Sequence, residues 1–230
     1  MDRVKLAKKY YDDMCHTYED LRANTYKWLR EQKIVHDFLT RFPRGTKVLD
    51  IPIGTGRFIE FYEKFDFALT GVDISDHMLE KAKNKPKILN ANFETGNIFS
   101  LDHADDSFSL VVCIRFMDWV SENDLEKAFT ELARVTKGAI IVNIPTYTQL
   151  ADIRPYSLSA FLRLIRQYKL RFYLARTRSD SVIHKKSSIK RIVEQLGLYV
   201  DDKVCIDHNY GRDWLKGVDR DIYLFKKHKS

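Results

Sequence analysis

Short apolar runs alternate along this 230-residue chain with segments whose apolar residues recur at helical spacing. The runs are rich in Val, Ile, Leu and Phe, which is typical of buried strands. They predict strands over residues 48–53, 67–73, 91–96, 108–114, 139–144, 198–206 and 221–225. The helical spacing predicts helices over residues 2–41, with a break near Asn24 and Thr25, and over 57–62, 75–85, 121–132 and 189–196. Strands that alternate with helices are typical of an α/β fold.

A glycine turn ends the first predicted strand. Gly54, Thr55 and Gly56 follow the strand, and helical spacing resumes at Arg57. A ligand can approach such a turn closely, because glycine has no Cβ atom and the first turn of a helix has free N–H groups. Asp73 ends the second strand, 17 residues beyond Gly56, at an interval at which a Rossmann-type fold binds ribose hydroxyls. Turn and acid together predict a site for a nucleoside-containing cofactor.

Two residues near the turn separate the cofactor classes that use this arrangement. A dinucleotide site needs a third small residue where the helix packs on the strand, and that position holds Ile59. Asp50 is unfavourable beside a pyrophosphate, but it can help to hold the ammonium group of an amino-acid moiety. The pattern Asp-x-x-x-Gly-x-Gly over residues 50–56 resembles motif I of the class I S-adenosylmethionine-dependent methyltransferases. Asp73 matches the acid that this family places at the end of its second strand.

The resemblance implies both a fold and an activity. The implied fold is Rossmann-like α/β, a seven-stranded and mostly parallel sheet with helices on both faces. An N-terminal helical cap and a helical insertion after the fifth strand complete it. The implied cofactor is S-adenosyl-L-methionine, and the implied reaction is methyl transfer by in-line displacement at a sulfonium carbon.

The same resemblance assigns a cofactor site. Ile74 and Met78 match positions that pack on adenine, and Asn97 stands where many members have an Asp that accepts from the adenine amino group. Aromatic residues of the helical prefix often cover the methionine end in this family, which points to Tyr11 and Tyr18. Plain core packing remains an alternative for Met78 and for both tyrosines. The implied cofactor-binding residues are Asp50, Ile51, Pro52, Gly54, Thr55, Gly56, Arg57, Asp73, Ile74, Met78, Asn97, Ile98, Ile114, Tyr11 and Tyr18.

Candidate catalytic residues follow the fourth predicted strand, whose carboxyl end should face the pocket. We expect Arg115 to anchor the acceptor, Asp118 to accept a proton and Trp119 to provide a stacking surface. Amino-directed DNA methyltransferases carry Asn or Asp, two prolines and an aromatic residue here, and this chain lacks that motif. His184 is a weaker candidate for a general base, because a lone histidine is more often structural.

Basic residues become frequent in the last third of the chain, and the resemblance suggests an insertion that shapes the acceptor site. A single domain is expected, with a helical cap at 1–41, a cofactor-binding core at 46–145, a basic helical insertion at 146–186 and a C-terminal helix with an antiparallel strand pair at 187–230. Whether the basic region at 154–191 binds nucleic acid, an anionic membrane or only solvent stays open.

Several functions remain compatible with the sequence. A small-molecule or lipid-linked acceptor is expected first, because an aromatic cap and a compact insertion suit an enclosed pocket. A nucleic-acid acceptor comes second, favoured by the basic insertion and disfavoured by the missing amino-methylation motif. A non-catalytic S-adenosylmethionine-binding module and an enzyme that cleaves the cofactor are the remaining alternatives.

The amino-acid composition further limits the partners, metals and cellular location that can be expected. A formal net charge of +7 favours anionic partners, although charge alone does not indicate a fold. The three cysteines form no Cys-x-x-Cys pair, and no His or Cys cluster has metal-ligand spacing, so neither a disulfide framework nor a metal is expected. The N-terminus lacks the apolar segment of a signal peptide, and no apolar stretch approaches the roughly 20 residues of a membrane span. These features predict a cytoplasmic enzyme.

Overall fold

A computed structural model describes residues 3–23, 25–85, 91–147, 182–206 and 219–228. Its strands are β1 Lys47–Asp50, β2 Ala68–Asp73, β3 Ala91–Thr95, β4 Phe108–Cys113, β5 Thr136–Tyr147, β6 His184–Lys185, β7 Leu198–Cys205 and β8 Asp219–Lys227. Its helices are α1 Arg3–Met14, α2 Tyr26–Leu39, α3 Ile59–Lys64, α4 Asp76–Lys83, α5 Leu125–Val135 and α6 Lys186–Gln195.

The strands form one mixed sheet in the order β3-β2-β1-β4-β5-β8-β7. Strands β1 to β5 are parallel, whereas β8 runs antiparallel to both β5 and β7. The seven predicted strands are all present, and the predicted Rossmann-like fold class is confirmed. The short β6 pairs with the end of β5 as an eighth strand. Two residues are too few for a hydrophobic pattern to predict a strand.

Apolar side chains on the two faces of the sheet form two cores. Leu49 and Val111 point to the face covered by α5 and α6. Val48, Leu110 and Val112 point to the face covered by α2, α3 and α4. Successive residues of a strand point to opposite faces, so strands that are apolar at every position need helices on both sides.

Helix α1 lies at the edge of the sheet where β1, β2 and β4 end. In α1, Lys8 Nζ donates a hydrogen bond to the carbonyl oxygen of Ile74 at 2.7 Å. Asp12 in the same helix accepts one from the hydroxyl of Ser75 at 2.5 Å. Both partners lie directly after β2, so α1 is attached to the loop that follows Asp73.

Two element boundaries differ from the sequence prediction. Strand β1 ends at Asp50, whereas the apolar pattern extended it to residue 53. Pro52 lacks the N–H group that a sheet ladder uses, so the regular strand ends before it. Ile51 and Ile53 still donate backbone hydrogen bonds to Val112 and Val72 of the neighbouring strands. The next helix begins at Ile59, two positions after the predicted start, because the turn occupies the intervening residues.

Most of the predicted basic insertion, residues 148–181, lies outside the described residues. The predicted division of the chain at 146–186 therefore remains a prediction. Within the parts of the chain that the structure describes, no helix has both the length and the apolar character required to span a bilayer.

Candidate functional site

The glycine turn and Asp73 are joined by hydrogen bonds. The backbone N–H of Gly54 donates to Asp73 Oδ2 at 2.8 Å, and that of Ser75 donates to Oδ1 at 2.9 Å. Gly54 has a φ of +58°, a left-handed conformation that glycine adopts without a steric penalty. Each carboxylate oxygen has a second lone pair, so Asp73 can still accept two hydrogen bonds from a ligand.

A pocket opens beside this carboxylate, at the carboxyl ends of β1, β2 and β4. Ten predicted site residues line it: Tyr11, Tyr18, Pro52, Gly54, Thr55, Arg57, Asp73, Met78, Ile114 and Arg115. Ile53 and Phe58 also line it, and the sequence analysis missed both. They flank the glycine turn, where the apolar pattern assigned them to strand and helix interiors. Ligands of open α/β sheets bind at this edge.

Eight predicted site residues do not line the pocket: Asp50, Ile51, Gly56, Ile74, Asn97, Ile98, Asp118 and Trp119. Ile51 and Ile98 are buried in the core beside α5. The side-chain oxygen of the exposed Asn97 accepts a hydrogen bond from the N–H of Phe99 at 3.1 Å. That local turn uses one of the two lone pairs of the oxygen that was expected to accept from adenine, so the expected contact stays a prediction.

Asp50 lies beneath the turn and not in the pocket. The Tyr62 hydroxyl donates to its Oδ2 at 2.9 Å, and burial raises the pKa of Asp50 to about 8. Burial of this kind disfavours the charged form of the carboxyl. Asp50 does not line the pocket, and its expected contact with an amino-acid moiety stays a prediction.

Asp73 also carries a raised pKa. Burial raises the pKa of its carboxyl to about 6, although the backbone N–H groups of Ser75, Gly54 and Ile74 favour the ionised form. Removal from water disfavours the charged state more than these hydrogen bonds compensate. The carboxylate is thus mostly ionised at neutral pH and becomes protonated as the pH falls through about 6.

A buried carboxylate that the sequence analysis missed holds the two pocket arginines. Glu31 Oε2 accepts from Arg57 Nη1 at 2.7 Å and from Arg115 Nε at 2.9 Å. Arg57 also stacks on the ring of Trp28, with its guanidinium carbon 3.7 Å from the ring centre. The sequence of α2 contains the feature that could have identified Glu31. This acid lies three residues after Trp28 and three before Ile34, on the buried face of the helix. An acid on an apolar helix face requires a buried partner.

The residues after β4 form the wall next to α1. Trp119 Nε1 donates to the Tyr11 hydroxyl at 3.0 Å, and that hydroxyl donates to the Arg115 carbonyl oxygen at 3.4 Å. Asp118 Oδ1 is buried and has no hydrogen-bond partner among the described residues, and burial raises the pKa of Asp118. Neither Asp118 nor Trp119 lines the pocket directly, so their predicted catalytic roles remain proposals.

His184 lies outside the pocket and is fully buried. Its Nε2 lies 2.7 Å from the carbonyl oxygen of Met117, and its Nδ1 lies 3.1 Å from Glu122 Oε2. These contacts attach β6 to the loop after β4. They support the structural alternative for this histidine over a general base.

The two glycines of the turn give a matched pair of substitutions. A Cβ atom at Gly54 would meet no atom within 4 Å, whereas one at Gly56 would lie 2.4 Å from Ile59 Cδ1 and 3.2 Å from Ala82 Cα. We expect Gly54→Ala to cost about 1–2 kcal/mol from its positive φ alone. Gly56→Ala should cost about 2–4 kcal/mol, because overpacking against α4 adds to a similar backbone strain. Urea unfolding measures both, and equal losses would contradict the tight contact between the turn and α4.

Comparison with known proteins gives a consistent match. Residues 48–138 match the family model described as Methyltransferase domain. An uncharacterized protein of Methanocaldococcus jannaschii is 31% identical over 64% of this chain and 53% of its own length. A demethylmenaquinone methyltransferase of Renibacterium salmoninarum is 31% identical over 62% of each chain. The chain thus spans between about half and two thirds of the length of these relatives.

A solved structure matches the fold over nearly the whole chain. Magnesium protoporphyrin IX methyltransferase from Synechocystis, with bound SAH, aligns with a TM-score of 0.73 and 14% identity over 97% of this chain and 99% of that one. Identity this low shows the fold alone. The glycine turn, the acid that ends β2, the family-model match and this fold agree with one another. Residues 48–138 are therefore similar to a methyltransferase domain, and the fold of the chain is the Rossmann-like fold of the class I S-adenosylmethionine-dependent methyltransferases.

Proposed function

We propose that this chain binds S-adenosylmethionine in the pocket beside Asp73 and methylates a small-molecule or lipid-linked acceptor. The observation that carries the proposal is the buried Asp73 carboxylate, hydrogen-bonded across the turn to Gly54 and bordering the pocket. A buried acid with free lone pairs next to a glycine turn fits two ribose hydroxyls.

Other lining residues fit the remaining parts of the cofactor. Met78 is buried and lines the pocket near Asp73, which suits an adenine face. Arg57, Arg115 and Tyr18 border the same pocket and suit the polar methionine end. When bound, the cofactor supplies a methyl group already activated by a sulfonium charge. The protein then has mainly to align the acceptor with that methyl group and to exclude water.

The acceptor side is assigned to the loop after β4. Asp118 is proposed to accept the acceptor proton, since burial raises its pKa toward the range of a useful base. Its Oδ1 has no partner among the described residues and can therefore receive a hydrogen bond. Trp119 and Tyr11, 5.8 Å apart between ring centres, offer aromatic surface beside it.

The names of relatives support a small or lipid-linked acceptor. They include a demethylmenaquinone methyltransferase and, from Cereibacter sphaeroides, a phosphatidylethanolamine N-methyltransferase that is 32% identical over 43% of this chain. Nothing in the described residues favours nucleic acid specifically, and the basic insertion lies largely outside them. Methyl transfer to nucleic acid is the alternative outcome of the labelling experiment.

The experiment uses S-adenosylmethionine labelled in its methyl group. The protein is incubated with this donor and a cell extract, which is then fractionated into nucleic acid, protein, lipid and small molecules. We expect label in the lipid or small-molecule fraction, with an Asp73→Ala protein as the unlabelled control. Label confined to nucleic acid would replace the proposed acceptor class, and no transfer despite cofactor binding would favour a binding module.

The pKa of Asp73 predicts a pH dependence of cofactor binding. Ribose hydroxyls donate to an ionised carboxylate, and the unliganded carboxyl becomes protonated as the pH falls through about 6. Affinity for S-adenosylhomocysteine should therefore be constant above neutral pH and decrease by about tenfold per pH unit well below pH 6. Calorimetric titration between pH 5 and 8 measures it.

An Asp50→Asn protein is the matched control for this profile. Asp50 has a pKa of about 8 and is already neutral at pH 7, and Asn keeps an acceptor for the Tyr62 hydroxyl. It should show the same decrease in affinity as the wild type. If the affinity of the wild type did not depend on pH, Asp73 would not be the residue that binds the ribose hydroxyls.

A further inference from the structure

The buried ring of His184 lies between two groups that accept hydrogen bonds. Its Nε2 lies 2.7 Å from the carbonyl oxygen of Met117, and its Nδ1 lies 3.1 Å from Glu122 Oε2. A carbonyl oxygen and an ionised carboxylate can only accept, whereas a neutral histidine ring has a single N–H group. Both contacts can therefore be hydrogen bonds only if the His184–Glu122 pair holds one additional proton, either on the ring or on the carboxyl group.

Glu122 is fixed beside the ring by a second contact. Its Oε1 accepts from the hydroxyl of Ser188 in α6 at 2.5 Å. Its side chain is 38% exposed, so the additional proton can exchange with water although the ring of His184 is fully buried. A buried ring in contact with a partly exposed acid is an arrangement that holds a proton and can also release it.

The other titratable side chains around His184 have different positions or partners. Tyr147 and Lys185 follow the paired residues Thr146 and His184 along β5 and β6, so they point to the opposite face of the sheet. The charged groups of α5, α6 and β8 near the ring form their own pairs, namely Arg191 with Glu126, Lys186 with Asp219 and Lys203 with Asp221. Within the described ranges, Glu122 is the acid in contact with the ring.

The contacts of His184 hold the β4–α5 loop, residues 114–124, against β6. Beside the contact with Met117, the N–H of Val182 donates to the carbonyl oxygen of Asp118 at 2.6 Å. The Asp118 carboxylate lies near Tyr11 of α1, whose pKa is raised first by burial and then by the charges of Tyr18 and Asp118. The segment around β6 thus fixes the backbone of the loop that carries this carboxylate.

We propose that the additional proton of the His184–Glu122 pair holds the β4–α5 loop in place, which makes His184 a positioning residue for Asp118 and Trp119. The inference rests on the proposed function, in which these two residues form the acceptor side. At low pH the proton is present and both contacts of the ring are hydrogen bonds. When it is lost as the pH rises, the lone pair of one ring nitrogen faces an acceptor, and the loop is released from β6.

The first test uses nuclear magnetic resonance of the unliganded chain between pH 6 and 9. The ¹⁵N shifts of the His184 ring and the ¹³C shift of the Glu122 carboxyl count the protons of the pair. The indole N–H of Trp119, which donates to the Tyr11 hydroxyl, reports the position of the loop, and Trp119→Phe identifies its signal. We expect the pair to lose one proton and the indole signal to shift with the same midpoint. A neutral ring beside an ionised Glu122 over the whole range, or an indole signal that does not follow the proton, would overturn the proposal.

Two substitutions of Glu122 should have opposite effects. In Glu122→Gln, the amide N–H can donate to Nδ1 of a neutral ring while the amide oxygen still accepts from Ser188, so the indole signal should stay at its low-pH position up to pH 9. In Glu122→Ala, the signal should show the released position even at pH 6. Glu126→Gln is the matched control, because Glu126 also joins α5 to α6, at 3.8 Å from Arg191, without contact to the ring. It should titrate as the wild type does.

The second test measures methyl transfer from labelled S-adenosylmethionine to the extract fraction that the wild type labels. The wild-type rate should fall on the alkaline side, and the rate of Glu122→Gln should not. Glu122→Ala should lower the maximal rate about 10- to 100-fold at pH 7, because the acceptor side is misplaced, with a KM for the cofactor within about threefold of the wild type. Thermal unfolding verifies that each variant is folded, and the wild-type titration requires no variant.

The two tests keep the proposals apart. If the indole signal follows the proton but Glu122→Ala transfers methyl groups at the wild-type rate, the pair holds the loop without positioning the acceptor side, and the positioning role is overturned. If the wild type labels no fraction while the indole signal still follows the proton, the proposed function fails and the proton-dependent attachment of the loop stands.

Discussion

Replacement of Glu31 by glutamine should lower the free energy of unfolding by about 3–5 kcal/mol. Glu31 is 3% exposed, and its carboxylate accepts hydrogen bonds from both Arg57 and Arg115. Glutamine removes the negative charge and leaves two guanidinium groups close together, one of them almost fully buried. An uncompensated buried charge is among the most destabilising changes that a substitution can produce. Urea unfolding at pH 7 measures the loss.

Asp37→Asn is the matched control, because it removes an acid from the same helix. Asp37 is half exposed and pairs with the exposed Lys33 at 3.3 Å. A surface ion pair of this kind contributes about 0–1 kcal/mol. If Glu31→Gln cost no more than Asp37→Asn, Glu31 would not be the residue that balances the pocket arginines.

Replacement of Asp73 by alanine should weaken binding of S-adenosylhomocysteine by about 100-fold or more. Each hydrogen bond from a ribose hydroxyl to a carboxylate contributes about 1.5–3 kcal/mol, and the substitution removes two. It also releases the N–H groups of Gly54 and Ser75, so the turn loses the acceptor that orders it. Calorimetry at pH 7.5, well above the pKa of Asp73, measures the affinity.

Glu80→Ala controls for a general effect of removing an acid near the pocket. Glu80 is exposed on α4, the helix that follows Asp73. The Glu80→Ala protein should therefore bind the nucleoside with the affinity of the wild type. Circular dichroism verifies that Asp73→Ala remains folded. Affinity within threefold of the wild type would show that Asp73 does not bind the ribose.

The sequence predicted those features that depend on local pattern. Apolar runs located the strands because a parallel sheet is buried on both faces, and the glycine turn and Asp73 were recognisable because their spacing follows from one strand-helix-strand unit. The Ser75 cap of α4 was likewise predictable, since its hydroxyl accepts from the N–H of Met78 three residues later. Such signals are carried by neighbours in the chain.

Features that depend on contacts between distant segments were not predictable in the same way. Glu31 meets Arg115 across 84 residues of sequence, and no local pattern indicates that the two are paired. Asp50 was expected in the pocket because it stands in the motif, but its pleat position directs it toward Tyr62. Asn97 was assigned from its place after β3, and the hydrogen bond that its oxygen accepts from the N–H of Phe99 was not foreseen. Burial and partner choice are decided by tertiary packing.

Equilibrium dialysis with methyl-labelled S-adenosylmethionine measures directly whether the pocket beside Asp73 binds this cofactor. We expect saturable binding of one molecule per chain, displaced by S-adenosylhomocysteine and not by NAD⁺, because Ile59 occupies the position at which a dinucleotide site needs a small residue. Asp73→Ala should lose most of this binding. Absence of saturable binding, or displacement by NAD⁺ as effective as that by S-adenosylhomocysteine, would contradict the assignment of the pocket.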